Sequence, residues 1–272
     1  MGKPSQLREL VANLDVKMDK VKLRELLKAQ LPTLSCAEIE ALLACRQLKI
    51  GQETCTNLET LYPAKSKIEI VRKRYVSRGG YKLEKALTTW PLEVRDKVMV
   101  DAGSSSGGFS DCLLQNGAAL VHAIDVGYNL LDYSLRVDKR VVVHERQNIM
   151  EKVKLEPPPH AAVADLSFRS IVTAADHILS LTQERWMVAL IKPQFEVPKG
   201  AEDFNGVLDD DELLFNTLLE VFKALKERNV GFKAIMESPI RGRKGNREFL
   251  AHLERGQWLS EAEFVENLHR LI

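Results

Sequence analysis

The sequence predicts an α/β protein: a mostly parallel β-sheet with helices on both faces, preceded by a small α+β module at the N-terminus. Three observations carry that expectation. From Tyr81 onward, short apolar runs alternate with stretches of helical periodicity. Several of those runs end in a charged or polar residue beside a strand breaker. The first 71 residues have a different texture, with two amphipathic helical stretches and short extended pieces. Strands that alternate with helices form parallel sheets, because a crossover helix returns the chain to start the next strand at the same end.

Residues 1–20 are polar, without a sustained period, and read as an arm or short helix. Leu23, Leu26, Leu27 and Leu31 then share one helical face. Ser35 opens a second helix with Glu38 as its capping-box partner, and Ile39, Leu42 and Leu43 form its buried stripe. LKIG and KIEIV (67–71) read as short strands. These pieces make a domain of residues 1–71, followed by a basic linker over 72–80 and a large domain over 81–272. In the large domain the expected strands are KVMVDAG (97–103), LVHAIDVG (120–127), VVVHERQN (141–148), HAAVADLSF (160–168), WMVALIKP (186–193) and VGFKAIMES (230–238). Helices fit 109–116, 129–136, 170–181 and 212–227. Ser260 and Glu263 form a second capping box, opening a terminal helix that packs Phe264, Leu268 and Leu271 on the core. Trp90, Trp186 and Phe232 sit in apolar contexts and read as core.

Composition narrows the function. Hydrophobic residues make up 45% and charged residues 28%, as in an ordinary globular chain. No run approaches the roughly 18 apolar residues of a membrane span, and MGKPSQLREL lacks the apolar centre of a signal peptide. The expectation is a cytoplasmic protein with no membrane partner and no obligate protein partner. Cys36, Cys45, Cys55 and Cys112 form no C-x-x-C pair and have no histidine cluster beside them, so no metal site is expected and reduced thiols are. Residues 1–80 hold 15 Lys+Arg against 9 Asp+Glu, a net of +6 on a chain whose total is +1. A basic N-terminal segment on a mildly acidic body suggests that a polyanion meets the small domain first.

Residues 101–109, DAGSSSGGF, join the first strand of the large domain to its helix. Gly103 permits a sharp turn, and Gly107 and Gly108 let backbone approach a ligand, with Ser105 and Phe109 in the same loop. Asp125 closes the second strand, where a carboxylate can accept both hydroxyls of a ribose, and Asn148 closes the third, placed to read an adenine edge. The glycine spacing is not that of a dinucleotide fingerprint. Asp101 would repel a pyrophosphate; it suits a cationic or zwitterionic ligand such as a sulfonium with an amino-acid tail. These residues point to S-adenosyl-L-methionine.

Asp165 and Lys192 end the fourth and fifth strands, and adjacent strand ends would bring them to one crevice. In order along the chain, SRGGYKLEKAL, DAGSSSGGFSDCLLQNGA, AIDVGYNLLDYSLR, ADLSF, ALIKPQFEV and SPIRGRKGNREFL resemble the motifs of the TlyA (haemolysin A) family, FtsJ-like ribosomal RNA 2′-O-methyltransferases. The resemblance covers residues 75–255. It implies a Rossmann-like S-adenosylmethionine-dependent methyltransferase sheet, and ribosomal RNA or ribosomal subunits as the partner, with cytidine as the nucleotide modified. It also implies a catalytic tetrad of Lys82, Asp165, Lys192 and Glu248. Lys192 would be the base or steering charge, Lys82 the neighbouring cation, Asp165 the group that orients the lysine beside the cofactor, and Glu248 the group that positions the ribose. A lysine can serve so when burial and a nearby cation favour its neutral form.

Residues 21–71 resemble an S4 RNA-binding domain, with departures at Cys36 and at Lys49-Ile50-Gly51. The family's G-V-V-R-D reads Gly206-Val207-Leu208-Asp209-Asp210 here, an acid replacing one expected cation. Candidate RNA contacts are Arg72, Lys73, Arg74 and Arg78 around the linker and Arg241, Arg243 and Lys244 beside Glu248, with Arg247 in the same basic run. Two other readings compete: a haemolysin-type membrane-active protein, which the lack of an apolar span or secretion signal disfavours, and an RNA-binding protein without catalysis. A nicotinamide-dependent oxidoreductase is argued against by the glycine spacing.

Overall fold

The computed structural model describes residues 19–44, 47–71, 74–167, 169–197, 206–208, 210–256 and 258–272. The chain divides into two compact units, residues 1–74 and 75–272. The smaller unit contains β1 (Lys20–Lys22), α1 (Leu23–Gln30), α2 (Cys36–Ala44), β2 (Leu48–Ile50), β3 (Glu53–Thr54), β4 (Leu61–Pro63) and β5 (Glu69–Ile70). Strand β1 pairs with β4, and β2 pairs with both β3 and β5, all antiparallel. Leu23, Leu26, Leu27, Leu48, Cys55 and Tyr62 are buried together, and Ile39, Leu42 and Leu43 pack against them. The Ser35–Glu38 capping box forms: the Ser35 amide donates to Glu38 Oε2 at 2.8 Å and the Glu38 amide donates to Ser35 Oγ at 3.3 Å. Ser35 thus sets where α2 begins.

The larger unit opens with α3 (Arg78–Thr89), so Arg78, Gly79 and Gly80 form a helix's first turn where the sequence suggested linker. There follow β6 (Val98–Ala102), α4 (Gly108–Gln115), β7 (Leu120–Asp125), α5 (Tyr133–Arg136), β8 (Val141–Glu145), β9 (Ala161–Ala164), α6 (Ile171–Ser180), β10 (Trp186–Ile191), α7 (Asp211–Glu227), β11 (Gly231–Glu237), β12 (Phe249–Glu254) and α8 (Glu261–Leu271). The seven strands lie in the order β11-β12-β10-β9-β6-β7-β8. Strands β8, β7, β6, β9 and β10 run parallel, and β12 runs antiparallel between β10 and β11.

Helices cover both faces, so the central strands read as near-continuous apolar runs, the pattern of a doubly covered sheet. Alternate residues serve opposite faces: Met187, Ala189 and Ile191 of β10 face α6, α7 and α8, while Val188 and Leu190 face α3 and α4. Phe232 and Trp186 are buried; Trp90 is half-buried and packs against the core. The terminal helix α8 inserts Phe264 and Leu268 into the core behind its Ser260–Glu263 capping box. No described helix is long and apolar enough to cross a membrane.

Strand β12 does not stand out in the sequence. FLAHLE is buried between two neighbours and shows no polar alternation, and such a run is not distinguishable from a buried helical segment by period alone. The order of the sheet reverses around β6, with β7 on one side and β9 on the other. A crevice opens there, outside the carboxyl ends of the parallel strands, as in other open α/β sheets.

Candidate active site

The crevice has a volume of about 700 Å³ and is lined from the ends of β6, β7, β9 and β10, the first turn of α3, and the connection entering β12. Its floor is acidic. Asp101, fully buried near the end of β6, points its Oδ2 at the start of α4, accepting from the Ser110 amide at 2.8 Å and the Ser110 hydroxyl at 2.6 Å. Its Oδ1 is buried and has no hydrogen-bond partner among the described residues. Burial, reinforced by the charges of Asp165 and Asp125, pushes the Asp101 carboxyl up to about 7, against the two Ser110 hydrogen bonds that favour its anion. An orphaned carboxylate oxygen beneath a crevice suits a cationic group from a ligand.

The loop after β6 turns at Gly103 (φ +81°), where a Cβ would sit 2.6 Å from the Asp165 carbonyl oxygen. Any other residue would be strained there and would push β6 from β9. Ser105, Gly108 and Phe109 line the crevice; Gly107, at the N-cap of α4, does not. Asp125, the last residue of β7, accepts from the Ser105 amide at 2.8 Å and the Gly127 amide at 2.7 Å, so backbone fixes its carboxylate at the rim. Asn148 lies three residues beyond the end of β8 at Glu145, in a turn where its Oδ1 accepts from the Met150 amide at 3.0 Å. The sequence reading puts Asn148 at the strand end; the structure puts it in the turn beyond that end, where it still lines the crevice.

The four tetrad candidates converge as two ion pairs. Lys82, on the buried face of α3 beside Leu83 and Ala86, donates to Glu248. Both are nearly fully enclosed, at 11% and 4% side-chain exposure. Lys192 follows β10 directly, with its Nζ 2.6 Å from Asp165 Oδ1. That contact is one of charge, its angles outside those of a hydrogen bond; Lys192 donates instead to Ser167 Oγ at 3.2 Å. Asp165 follows β9 and donates its amide to the Ala102 carbonyl at 3.0 Å, which extends the β9–β6 pairing by one step.

Strand β12 explains how Glu248 arrives. Phe249 pairs with Ile191 in the antiparallel register, so Glu248 and Lys192 leave the sheet at the same end. Gly242, on the connection from β11, lies against the Glu248 carboxylate: a Cβ there would stand 2.2 Å from Oε1. The β10 exit is fixed in turn by Glu196, which accepts from the Ser170 hydroxyl and from the Ile171 amide at 2.8 Å, at the N-terminus of α6. Burial pushes the Glu196 carboxyl up; those two donors act against it. Glu196 therefore fastens the segment after Lys192 to the segment after Asp165.

The proposed RNA contacts are distributed unevenly. Arg78 is exposed and lines the crevice. Arg241 and Lys244 are exposed on the β11–β12 connection and do not line it. Arg247 is engaged elsewhere, donating to Glu237, Asp211 and the Leu271 carbonyl, which ties α8 to the residue before Glu248. It is thus a structural cation and not a free contact. Arg74 is exposed in the smaller unit. Arg72, Lys73 and the side chain of Arg243 lie outside the described residues, as do Cys45 and Asp209. Ser110, Ser167, Arg169, Glu196 and Gly242 also shape the site without having stood out in the sequence. Ser167 is legible in retrospect, two positions after Asp165 in the same strand exit.

Residues 75–255 match the family model described as FtsJ-like methyltransferase. The chain belongs to the FtsJ-like methyltransferase family. Among its relatives is the 16S/23S rRNA (cytidine-2′-O)-methyltransferase TlyA of Mycobacterium tuberculosis, 38% identical over 208 residues, covering 74% of this chain and 76% of that one. Hemolysin A of Brachyspira hyodysenteriae is 43% identical over 192 residues, covering 68% and 79%. A solved structure from Streptococcus thermophilus that carries the hemolysin name superposes with a TM-score of 0.67 at 32% identity, covering 93% of this chain and 97% of that one. That coverage takes in residues N-terminal to the family match. The chain is a methyltransferase with the fold of that family, as its sequence predicts.

Proposed function

We propose that this methyltransferase transfers the methyl group of S-adenosyl-L-methionine to a cytidine ribose 2′-hydroxyl in ribosomal RNA, and that it works in the cytoplasm. The carrying observation is the pairing of Lys82 with Glu248 and Lys192 with Asp165 above an acidic crevice floor. The relatives named for cytidine-2′-O-methylation of rRNA supply the substrate class.

The residues of the floor fit the cofactor. The orphaned Asp101 oxygen suits the ammonium of the amino-acid tail, Asp125 at the end of β7 suits the ribose hydroxyls, and Asn148 suits the adenine edge. When bound, the cofactor supplies an electrophilic methyl group on a sulfonium. The chain's own task is to present a neutral oxygen nucleophile in line with that methyl and to receive its proton. Lys192, held at its strand end by Asp165 and Ser167, is the base or steering charge of this reading: as a cation it orients the oxygen lone pair, and it takes the hydroxyl proton once its own has passed to Asp165 or to solvent. Glu248, fixed by Lys82, can accept from a ribose hydroxyl and orient the sugar. Residues 1–71 serve in the same reading as an S4-like RNA-docking domain, which its basic charge and small antiparallel sheets support.

The test is to map ribose methylation in ribosomal RNA from cells with and without this gene, and to supply purified protein with labelled cofactor and unmodified ribosomal subunits. One or more cytidine 2′-O-methyl groups should vanish without the gene and reappear in the reaction. Methyl transfer to a base, or to no RNA at all, would defeat the reading, and red-cell lysis by the same preparation would favour the membrane-active alternative.

A further inference from the structure

The charges around the crevice balance in a way that separates its two ligands. Four carboxylates and four cations line it among the described residues. Lys82 is committed to Glu248, and Lys192 stands against Asp165. The two carboxylates left over, Asp101 and Asp125, lie at the β6 and β7 ends, where a cationic cofactor fits. The two cations left over are Arg78 and Arg169. Neither has a hydrogen-bond or ion-pair partner among the described residues. Both adjoin the paired set: Arg78 lies four residues before Lys82 on α3, and Arg169 four residues after Asp165.

A cation in a crevice lacking an anion of its own implies an anion from outside. The tetrad lysines do not supply the attraction, since each is already neutralised by a carboxylate. Guanidinium groups favour this use: they present a planar fork of donors that matches two oxygens of one phosphate. Arg169 is also held ready. It precedes Ser170, which caps α6 through the Val172 amide at 3.2 Å and donates to Glu196, so the backbone carrying Arg169 is fixed before any ligand arrives.

We propose that Arg169, together with Arg78, grips the phosphodiester groups flanking the ribose to be methylated. The inference rests on the proposed function and adds a substrate contact, Arg169, that neither the motifs nor the relatives identify. It assigns the crevice two chemistries: carboxylates for the donor of the methyl group and guanidiniums for the strand that receives it.

The test uses the full chain and ribosomal RNA that the wild type methylates. Binding of that RNA is measured over a series of salt concentrations, alongside calorimetric binding of S-adenosyl-L-methionine. Arg169→Ala should raise the RNA KM about tenfold, leave cofactor binding unchanged, and flatten the slope of log affinity against log salt by about 0.7 to 0.9, the value of one phosphate contact. Arg169→Lys should restore the slope, because the charge returns, but only part of the affinity, because the fork does not. A wild-type slope in Arg169→Ala overturns the clamp. So does loss of cofactor binding in both variants, which would place Arg169 in the cofactor site or the fold. Failure of the wild type to methylate ribosomal RNA would count against the proposed function instead, so the two failures are distinct.

Discussion

The two halves of the crevice hold their charges by different means. In the cofactor half, Asp101 and Asp125 are fixed by nearby groups: the Ser110 amide and hydroxyl for one, the Ser105 and Gly127 amides for the other. In the tetrad half, side chains hold one another across long stretches of sequence. Lys82 and Glu248 are 166 residues apart and come from a helix and the entry to an antiparallel strand. The first arrangement depends on two adjacent strands, the loops that follow them and one helix; the second depends on the whole sheet being assembled. The cofactor half should therefore tolerate changes elsewhere in the fold, whereas the tetrad half should fail as a unit.

The sharpest way to break this contrast is Lys192→Ala. Methyl transfer should fall at least about 100-fold, within the range for loss of a general base, while calorimetric binding of the methyl donor stays at the wild-type value. Parallel loss of both would mean that the two halves are not separable.

A second, smaller effect concerns stability. Lys82→Met leaves Glu248 enclosed without its cation, and removing one partner of a buried pair costs about 3–5 kcal/mol. Lys82→Met combined with Glu248→Leu should recover most of that loss in denaturant unfolding without regaining activity. If the double variant is no more stable than the single one, the pair is not the coupled unit described here.

The cofactor half should respond to pH. The Asp101 carboxyl stands at about 7 in the fold, so acidification protonates it and removes the anion proposed to face the cofactor's ammonium. Affinity for the methyl donor should weaken as pH falls from 8 toward 6, by at most about tenfold per unit, and Asp101→Asn should be weak and flat over that range. Because this carboxyl lies above its unfolded value, its contribution to folding runs the other way: the native state holds the proton more tightly, so this group opposes folding more as pH rises toward 7. Binding and the Asp101 contribution to stability, read as the wild type minus Asp101→Asn, should therefore move in opposite directions in one titration. An affinity that does not change with pH would remove Asp101 from the cofactor site.

The smallest effect lies away from the crevice. His122 on β7 contacts His144 Nε2 at 3.1 Å and the Pro157 carbonyl at 2.9 Å, and burial lowers both imidazoles below their usual value. The unfolded chain therefore takes up protons first, and stability should decline as pH drops below about 6.5. His122→Asn should flatten that acid limb of the melting temperature while leaving the pH profile of methyl-donor binding intact. A change in the binding profile would show that the sheet edge and the crevice communicate.

Much of the cofactor half was legible because its information is local. DAGSSSGGF contains the strand end, the turn and the start of the helix that engage one another, and Asp125 needed only the end of the next strand. The Ser35–Glu38 and Ser260–Glu263 boxes were legible for the same reason, each being complete within four residues. Sequence also marked Asp165 and Lys192 as strand-end charges, and the motif resemblance supplied Lys82 and Glu248. It could not reveal that Lys82 pairs with Glu248, or that Arg247, within a basic run, is spent on Glu237, Asp211 and the Leu271 carbonyl. Those outcomes depend on β12 being inserted antiparallel beside β10, a placement chosen by burial on both faces and by pairing with two strands. The sequence by itself determined most of the elements of the large domain and the cofactor loop, because capping, turns and apolar runs act over a few residues. Tertiary structure alone decided which charges neutralise one another and which crevice guanidiniums remain unpaired among the described residues, because partners so far apart in the chain meet only once the sheet is assembled.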